Sequence, residues 1–584
     1  MSGVLSVSQA EAVDSAAEQA RYRLTTLICW SVCAALAAAD AWAGRQYTDP
    51  DGISYLDMSD ALLKHNWHLL INPHWSPLYP FLIGVATWFA RPLGYWEFPL
   101  VHAANFVIFL GALASFEFLM RQAILVLSGG SGHKRASSMG SLPAWRWQLL
   151  GYSLFAWSTF VLISGLRRVN PDLCVATFVY LDAGLLLRLR MDAGRSRTCL
   201  LLGLTLGFGY LAKAILFPMA FVFMTVAILA IGEWRKAAVP LLLTILVFSS
   251  IATPMVILVS QMAGRPSFSE SGPLNFAWLA NGGDALPFST FRSSPDLKHP
   301  MNLLNKSPDV LGFNGRTAST YSPWFDPQYW NAGTKASFSA ERQTRAIGRN
   351  LTAFIAGFYM APMWALIAGG VALFFMSRGE PNRFQQLASS WPLLIPGIAG
   401  LTLYTLVLVL PRYIAPFLVL VLLGFFPYIF FGYSARRAKP VAIVTSVLAI
   451  SIFVFSAMFV VLHLTEPIPI LRGPGGVFYR AADSLNKDGV LPGQSVGLIG
   501  SGWDAMIWAR LARVRIVAQM PLEETRGFWQ ASDPQVQTEV YDAFARAGAK
   551  AVVTAQTPPS TGFTDWQKLG DTPYYVHFLA PPHI

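Results

Sequence analysis

Four aspartates, Asp49, Asp51, Asp57 and Asp60, fall within the twelve residues "DPDGISYLDMSD" of a chain that is otherwise apolar. A carboxylate can take the proton from an attacking hydroxyl, an effect worth about 10²–10⁴-fold in rate. Basic groups stand far away in the chain. Arg167 and Arg168 lie beside Asp172 in "GLRRVNPDLCV", Lys213 ends "LLGLTLGFGYLAK", and Arg412 opens "RYIAP". Arginine holds a phosphate as a two-pronged fork and lysine holds it as a point charge. Brought to one face of a membrane at headgroup depth, carboxylate and cations suit transfer of a group from a lipid phosphate to a hydroxyl. The carboxylate would serve as base, and the cations would hold the departing phosphate.

Each residue also has a plainer reading. Tyr55, Met58 and Leu62 recur at helical spacing, and Asp57, Asp60 and Lys64 recur about 200° around the same helix. That predicts a short amphipathic helix on the membrane surface, with Asp57 and Asp60 on its wet face. Asp60 and Lys64 form an i, i+4 pair worth only tenths of a kcal/mol. Asp51 can cap a helix or shape a turn, and Asp172, after Pro171, can do the same. Lys213 and Arg412 can snorkel to headgroups. Asp182, in the middle of an apolar run, is costly there, and Arg188 is the one partner the sequence offers.

The elements that must position these residues are membrane spans. The chain has 584 residues, 54% hydrophobic and 13% charged, about half the charged fraction of a soluble protein. Runs such as "PVAIVTSVLAISIFVFSAMFVVLHL" reach the roughly 20 apolar residues that cross a bilayer as a helix. The reading is a mostly α, polytopic protein with about eleven spans, from 24–43 to 440–464 and including one at 351–377. Residues 1–23 form a cytoplasmic tail, 24–464 the transmembrane domain, and 465–584 an extracytoplasmic domain.

With the N-terminus inside, every cytoplasmic loop is basic, including Arg121, Lys134, Arg135, Arg378 and Arg383. This threading requires that the fourteen-residue "PLYPFLIGVATWFA" not cross. Outer loops then run over 44–96 and 261–350. The net charge of +11 reflects this loop bias, and no nucleic-acid module is present. The four cysteines sit in or beside apolar spans as small buried hydrophobes.

The C-terminal domain alternates helical and strand-like runs, with strands expected at "SVGLIG", "RIVAQM" and "AVVTAQ". Such alternation predicts a small α/β layer with parallel strands. The turn "GLIGSGWD" lacks the full glycine spacing of a nucleotide loop and reads as an ordinary strand-to-helix turn. The long outer loop contains "TYSPWFDPQYW", whose Tyr321, Trp324, Phe325, Tyr329 and Trp330 suit a sugar face, the membrane interface or loop packing.

Taken in order, these motifs resemble the GT-C superfamily of membrane glycosyltransferases, in particular its aminoarabinose transferase and protein O-mannosyltransferase group. The resemblance covers about residues 20–430 and rests on "DPDGISYLDMSDAL", "WSPLYPFLIG", "VNPDLCVATF", "LLGLTLGFGYLAK" and "RYIAP". It implies an inverting enzyme that uses a polyprenyl-phosphate sugar and a hydroxyl acceptor in contact with the bilayer. It also implies Asp51 as base, Asp172 as second carboxylate and Lys213 near the lipid phosphate; Arg412 and Arg168, basic residues on the same face, are the further candidate phosphate ligands. Tyr55, Tyr79, Trp324 and Tyr329 are candidate substrate contacts. The family often has Asp-Glu where this chain has Asp51-Gly52, so the carboxylate pair can instead be Asp49 and Asp51. No cofactor is required; a divalent cation at Asp49 and Asp51 is the alternative. Competing readings are a transporter or flippase, which would usually show internal repeats, and a membrane-anchored envelope scaffold.

Overall fold

In lipid, an apolar run satisfies its own backbone by becoming a helix, and helices cover each stretch read as a span. The computed structural model describes residues 2–90, 94–127, 142–191, 195–280, 301–313, 319–329, 338–357, 361–376, 387–430, 435–465, 476–531, 533–560 and 562–579. The first half contains α1 (Ser2–Gly44), α2 (Pro50–Leu63), α3 (Trp67–Leu70), α4 (Leu78–Ala90), α5 (Glu97–Leu127) and α6 (Ala144–Ala156). Next come α7 (Asp172–Leu189), α8 (Arg195–Ala212), α9 (Leu216–Ile231), α10 (Trp234–Ala263), α11 (Ser271–Asn275) and α12 (Ser322–Phe325). The remaining membrane-side helices are α13 (Ala340–Gly357), α14 (Ala361–Met376), α15 (Trp391–Thr405), α16 (Pro411–Gly424), α17 (Phe426–Phe430) and α18 (Ala435–Thr465).

This is a multi-pass membrane fold. Among the described residues, five helical stretches, 16–44, 94–127, 235–263, 411–429 and 436–465, are long and apolar enough to cross a bilayer. Of the predicted span 351–377, residues 351–357 belong to α13 and 361–376 to α14, and the rest lie outside the described residues. Leu78–Ala90 is a helix of 13 residues, about 20 Å long and short of a crossing. The four cysteines are buried with free thiols. Asp182 accepts a hydrogen bond from Thr205 Oγ1 at 2.5 Å, so its partner comes from α8 and not from Arg188. Lys134, Arg135, Arg378, Arg383 and Trp330 lie outside the described residues.

A second layer contains a seven-stranded sheet. Its strands are β1 (Asn302–Asn305), β2 (Val310–Gly312), β3 (Ser495–Ile499), β4 (Arg515–Met520), β5 (Ala551–Thr554), β6 (Gln567–Lys568) and β7 (Tyr575–Phe578), in the order β1-β2-β4-β3-β5-β7-β6. Its helices are α19 (Val477–Lys487), α20 (Gly502–Leu511), α21 (Thr525–Gln530) and α22 (Pro534–Arg546). The three expected strands form the parallel centre β4-β3-β5. The turn after β3 is a strand-to-helix turn in which Gly500 takes φ +116° and the Ser501 side chain caps α20. β1 and β2 come from the long loop at 261–350, and β2 pairs antiparallel with β4. The sheet therefore reaches beyond the contiguous 465–584 segment expected to contain it.

The sheet layer rests on α2 and α5, and here one expectation is overturned. α2 is not a surface helix with a wet acidic face: Asp57 is buried, and so are Tyr55, Leu56, Met58 and Ser59. α4 covers one side of α2, and Leu62 and Ser59 approach so closely that a Cβ on Gly84 would lie 2.9 Å from Leu62 Cδ2. α20 covers the acidic side and provides Arg510, which donates to Asp57 Oδ1 at 3.0 Å and to Asp60 Oδ2 at 2.8 Å. The helical period located the polar face correctly, but protein covers that face, not water.

Candidate active site

Three separate helix ends and the start of α2 converge. Pro50 at the first position of α2 presets its helical φ. Asp49 caps the helix by accepting from the Gly52 N–H at 3.0 Å, and its other oxygen accepts from Arg168 at 3.2 Å. Asp51 occupies the first turn and accepts from Arg412 Nη2 at 3.2 Å. Arg412 follows Pro411 in the first turn of α16, which places its guanidinium above the Tyr413 ring at 5.0 Å. Asp172 opens α7, where the positive end of the helix dipole favours a carboxylate. It accepts from Lys213 Nζ at 2.5 Å, and Arg412 Nε lies 3.7 Å from its other oxygen. Lys213 follows the last residue of α8 and lies 3.7 Å from the Tyr413 ring centroid, a cation–π contact.

These groups open on a cavity of about 250 Å³ lined by Asp51, Tyr55, Asp172, Lys213, Arg412 and Tyr413, among others. The acid near the start of the chain and the cations some 160 and 360 residues later thus share one pocket. Asp49 and Arg168 pair beside the cavity without lining it. Arg167 turns away to Asp40 of α1 at 2.9 Å. Burial pushes the Asp51 carboxyl above the ordinary carboxylate value, and neighbouring Asp49 adds to the rise, while Arg412 and Lys213 oppose it. An acid held in this way is a stronger base than a solvated one.

Of the four aromatic candidates, Tyr55 alone lines the cavity. Tyr79 is buried behind it, with its hydroxyl donating to Asn105 Oδ1 at 2.8 Å and its ring edge-on to Tyr55. Trp324 packs edge-on against Trp503 of α20, with ring centroids 4.7 Å apart. Tyr329 is buried against Phe313. The last two do not reach the pocket, because α12 and the turn after it, Pro327–Tyr329, dock these aromatics inward.

Sequence reasoning missed His74, Trp75, Asn170 and Tyr404, which also line the cavity. Burial pushes His74 down to about 3, so it stays neutral at physiological pH. A single His in "NPHWSP" gives no sequence signal. Trp75 is fixed by donating its indole N–H to the Phe325 carbonyl at 3.0 Å.

The departure at Gly52 has a steric cause. A Cβ there would lie 2.9 Å from Val169 Cβ and against Thr48 Oγ1, so the position excludes a glutamate. Among the described residues no group of three or more His, Cys, Asp or Glu could hold a metal ion. Both Asp49 oxygens are taken by Gly52 and Arg168, and Asp51 faces Arg412. The pair does not fit the six to eight oxygen ligands of a calcium cage.

No family model matches the chain, and no curated protein matches it. Among solved structures it superposes on ArnT from Cupriavidus metallidurans bound to undecaprenyl phosphate with a TM-score of 0.53. That match is at 14% identity and covers 95% of this chain and 96% of that one. The apo state of the same ArnT gives 0.52 at 13% identity, covering 94% and 97%. The chain has the GT-C fold. An oligosaccharyltransferase from Archaeoglobus fulgidus also matches, at 14% identity with a TM-score of 0.48, over 91% of this chain and 69% of that one. The GT-C fold covers the sheet layer as well as the helices, since the ArnT match spans nearly the whole chain.

Proposed function

We propose that this protein is a glycosyltransferase that moves a sugar from a polyprenyl-phosphate donor to a hydroxyl acceptor at the outer face of a bacterial-type inner membrane, inverting the anomeric centre. The observation that carries the reading is one cavity lined by Asp51, Lys213 and Arg412. Undecaprenyl phosphate bound to the ArnT structure of the same fold supports a lipid phosphate as the ligand.

In this reading the acceptor hydroxyl approaches Asp51, which takes its proton as the oxygen attacks the anomeric carbon. The bond from that carbon to the phosphate oxygen breaks, and the polyprenyl phosphate leaves with the electron pair. Arg412 and Lys213 hold the negative charge that develops on it, an electrostatic effect aimed at the transition state. Asp172 orients the two cations by pairing with both. Asp49, Asp51 and Asp172 already balance Arg168, Lys213 and Arg412, so an arriving phosphate adds net negative charge. That charge raises Asp51 further and strengthens it as a base. The outward orientation of the cavity rests on the basic loops, which the positive-inside rule places in the cytoplasm.

The test is mass spectrometry of envelope glycans and glycolipids from cells with and without the protein. A sugar-bearing species lost with the protein and restored by the wild type, but not by Asp51→Asn, supports transfer. An unchanged glycan and glycolipid profile sinks it.

A further inference from the structure

The helix that carries Asp51 is gripped from its other side by the sheet layer. Asp57 and Asp60 lie about 180–240° around α2 from Asp51, with Asp60 about 13 Å further along its axis. They meet Arg510 of α20, which also donates to Glu97 at the start of α5, from Nη2 at 2.5 Å and from Nε at 3.2 Å. Arg513 adds contacts to Asp60 at 3.4 Å and Glu97 at 3.0 Å. Thr320 of the long loop completes the shell, giving both its backbone N–H and its hydroxyl to Asp57 at 2.8 Å. The Arg510 side chain is 4% exposed. It is absent from the residues that line the cavity.

We propose that Arg510 is a positioning residue. By locking α2 to α5 and to the sheet layer, it sets the rotation and depth at which Asp51 enters the cavity. The proposal rests on the reading of Asp51 as the base. A 14-residue helix turns as a rigid rod, so a rotation at Asp57 and Asp60 is carried to Asp51. On the membrane side α4 packs along α2 by apolar contact, and the ion pairs described there engage only its first turn, Asp49 to Arg168 and Asp51 to Arg412. Arg412 lines the cavity and is one of the cations the phosphate would engage, so it cannot also be the fixed reference for the helix. The guanidinium fork of Arg510, spread over three carboxylates, supplies that reference. Lysine keeps the charge but cannot spread it over the same geometry. The sheet layer, on this view, belongs to the catalytic apparatus, although none of its own side chains lines the pocket.

The test uses the full chain in lipid nanodiscs, comparing wild type with Arg510→Lys. Amide exchange at residues 52–56 is expected to rise about tenfold, while the central strands β3, β4 and β5 exchange as in the wild type. Transfer from the donor found in the glycolipid comparison is expected to lose about 10–100-fold in kcat, with donor KM within about threefold, as for a base displaced by an ångström. Wild-type exchange and kcat overturn the proposal. So does loosening of the three strands together with α2, which would make Arg510 a stabiliser of the sheet alone.

If Arg510→Lys does not accumulate, Thr320→Val removes one donor to Asp57 and is expected to shift both readouts the same way by about threefold. No shift in either overturns the proposal. The exchange arm needs no turnover. Freed residues 52–56 in a protein whose Asp51→Asn variant still transfers would remove the base and keep the positioning, and the reverse pattern would sink the positioning alone.

Discussion

α2 carries two carboxylate–guanidinium clusters on opposite sides, and they differ in what remains unspent. At Arg510, two guanidiniums meet three carboxylates, Thr320 supplies two more donors, and the Asp57 and Glu97 side chains are 6% and 4% exposed. At Arg412, cations and acids pair more loosely, with contacts of 3.2 and 3.7 Å, and the Asp51 side chain is 26% exposed. Both are arginine clusters on one helix. In the first, Arg510, Arg513 and Thr320 take up the carboxylates, whereas the second opens on a cavity. The difference teaches that buried charge alone does not mark a site; charge that faces a cavity does.

The sharpest way to break this comparison is the same substitution on both sides of the helix. Asp51→Asn keeps the size and removes the base, so transfer is expected to fall about 10²–10⁴-fold while expression and melting temperature hold. Asp57→Asn, about two turns away, disturbs only the positioning contact and is expected to lose about threefold. Steady-state transfer in membranes measures both. Equal losses in the two variants would erase the functional distinction between the clusters.

The next effect is on stability and runs the other way. Arg510→Met leaves buried Asp57 and Glu97 and half-buried Asp60 with one remaining guanidinium, and breaking such a cluster from one side typically costs about 3–5 kcal/mol. Arg412→Met takes one partner from Asp51, which is 26% exposed, while Asp172 keeps Lys213, and is expected to cost less than Arg510→Met. Thermal unfolding in detergent checks the order. A larger loss at Arg412 than at Arg510 would mean that the cavity side, not the sheet side, anchors α2.

How far the sequence foretold these clusters follows from the same contrast. Asp51, Lys213 and Arg412 were legible because each interrupts an apolar context at the end of a span, where an ionised side chain demands a reason. The same cost argument flagged Asp182, but no spacing rule could point to Thr205 on the next helix. Asp57 and Asp60 were misread because a helical period shows which face is polar without showing what covers it. Their partner Arg510 sits in "WDAMIWARLAR", where an arginine on an amphipathic helix carries no signal. The central strands β3, β4 and β5 were legible as apolar runs between helices. β1 and β2, of four and three residues, are too short to show alternation, and β2 pairs with β4 some 200 residues away. Trp324 and Tyr329 have aromatic types that suit a sugar, an interface or a core equally, and only the docking of α12 selects the core.

A smaller effect would sharpen the roles inside the cavity. Lys213 faces Asp172 at 2.5 Å and the Tyr413 ring, so Lys213→Ala removes a point charge without emptying the Arg412 fork. Donor-lipid KM is expected to rise about tenfold, the value of one charged hydrogen bond, with acceptor KM unchanged. Titration of each substrate against the variant separates the two constants. Equal rises in both would assign Lys213 to holding Asp172 in place and take it away from the phosphate.

The smallest expected effect tests whether the sheet-side cluster is as dry as its exposure implies. Burial pushes Asp57 up to about 6, with Arg510 and the Thr320 donors pulling against the rise. Asp60 goes the other way: Arg510 and Arg513 outweigh its desolvation and hold it below the ordinary value. A carboxyl raised in the folded state binds its proton more tightly there than in the unfolded chain. Its contribution to stability is therefore full below the ordinary value of 3.8 and is lost as pH rises through about 6. Asp60 contributes in the opposite sense, but only below 3.8. Between pH 5 and 7.5 the difference between wild type and Asp57→Asn thus isolates Asp57, because Asp51, also raised, is common to both. Lowering the pH across that window should raise the wild-type melting temperature relative to the variant by about 1 °C. A gap that stays constant would place water beside Asp57 and make the two sides of α2 alike.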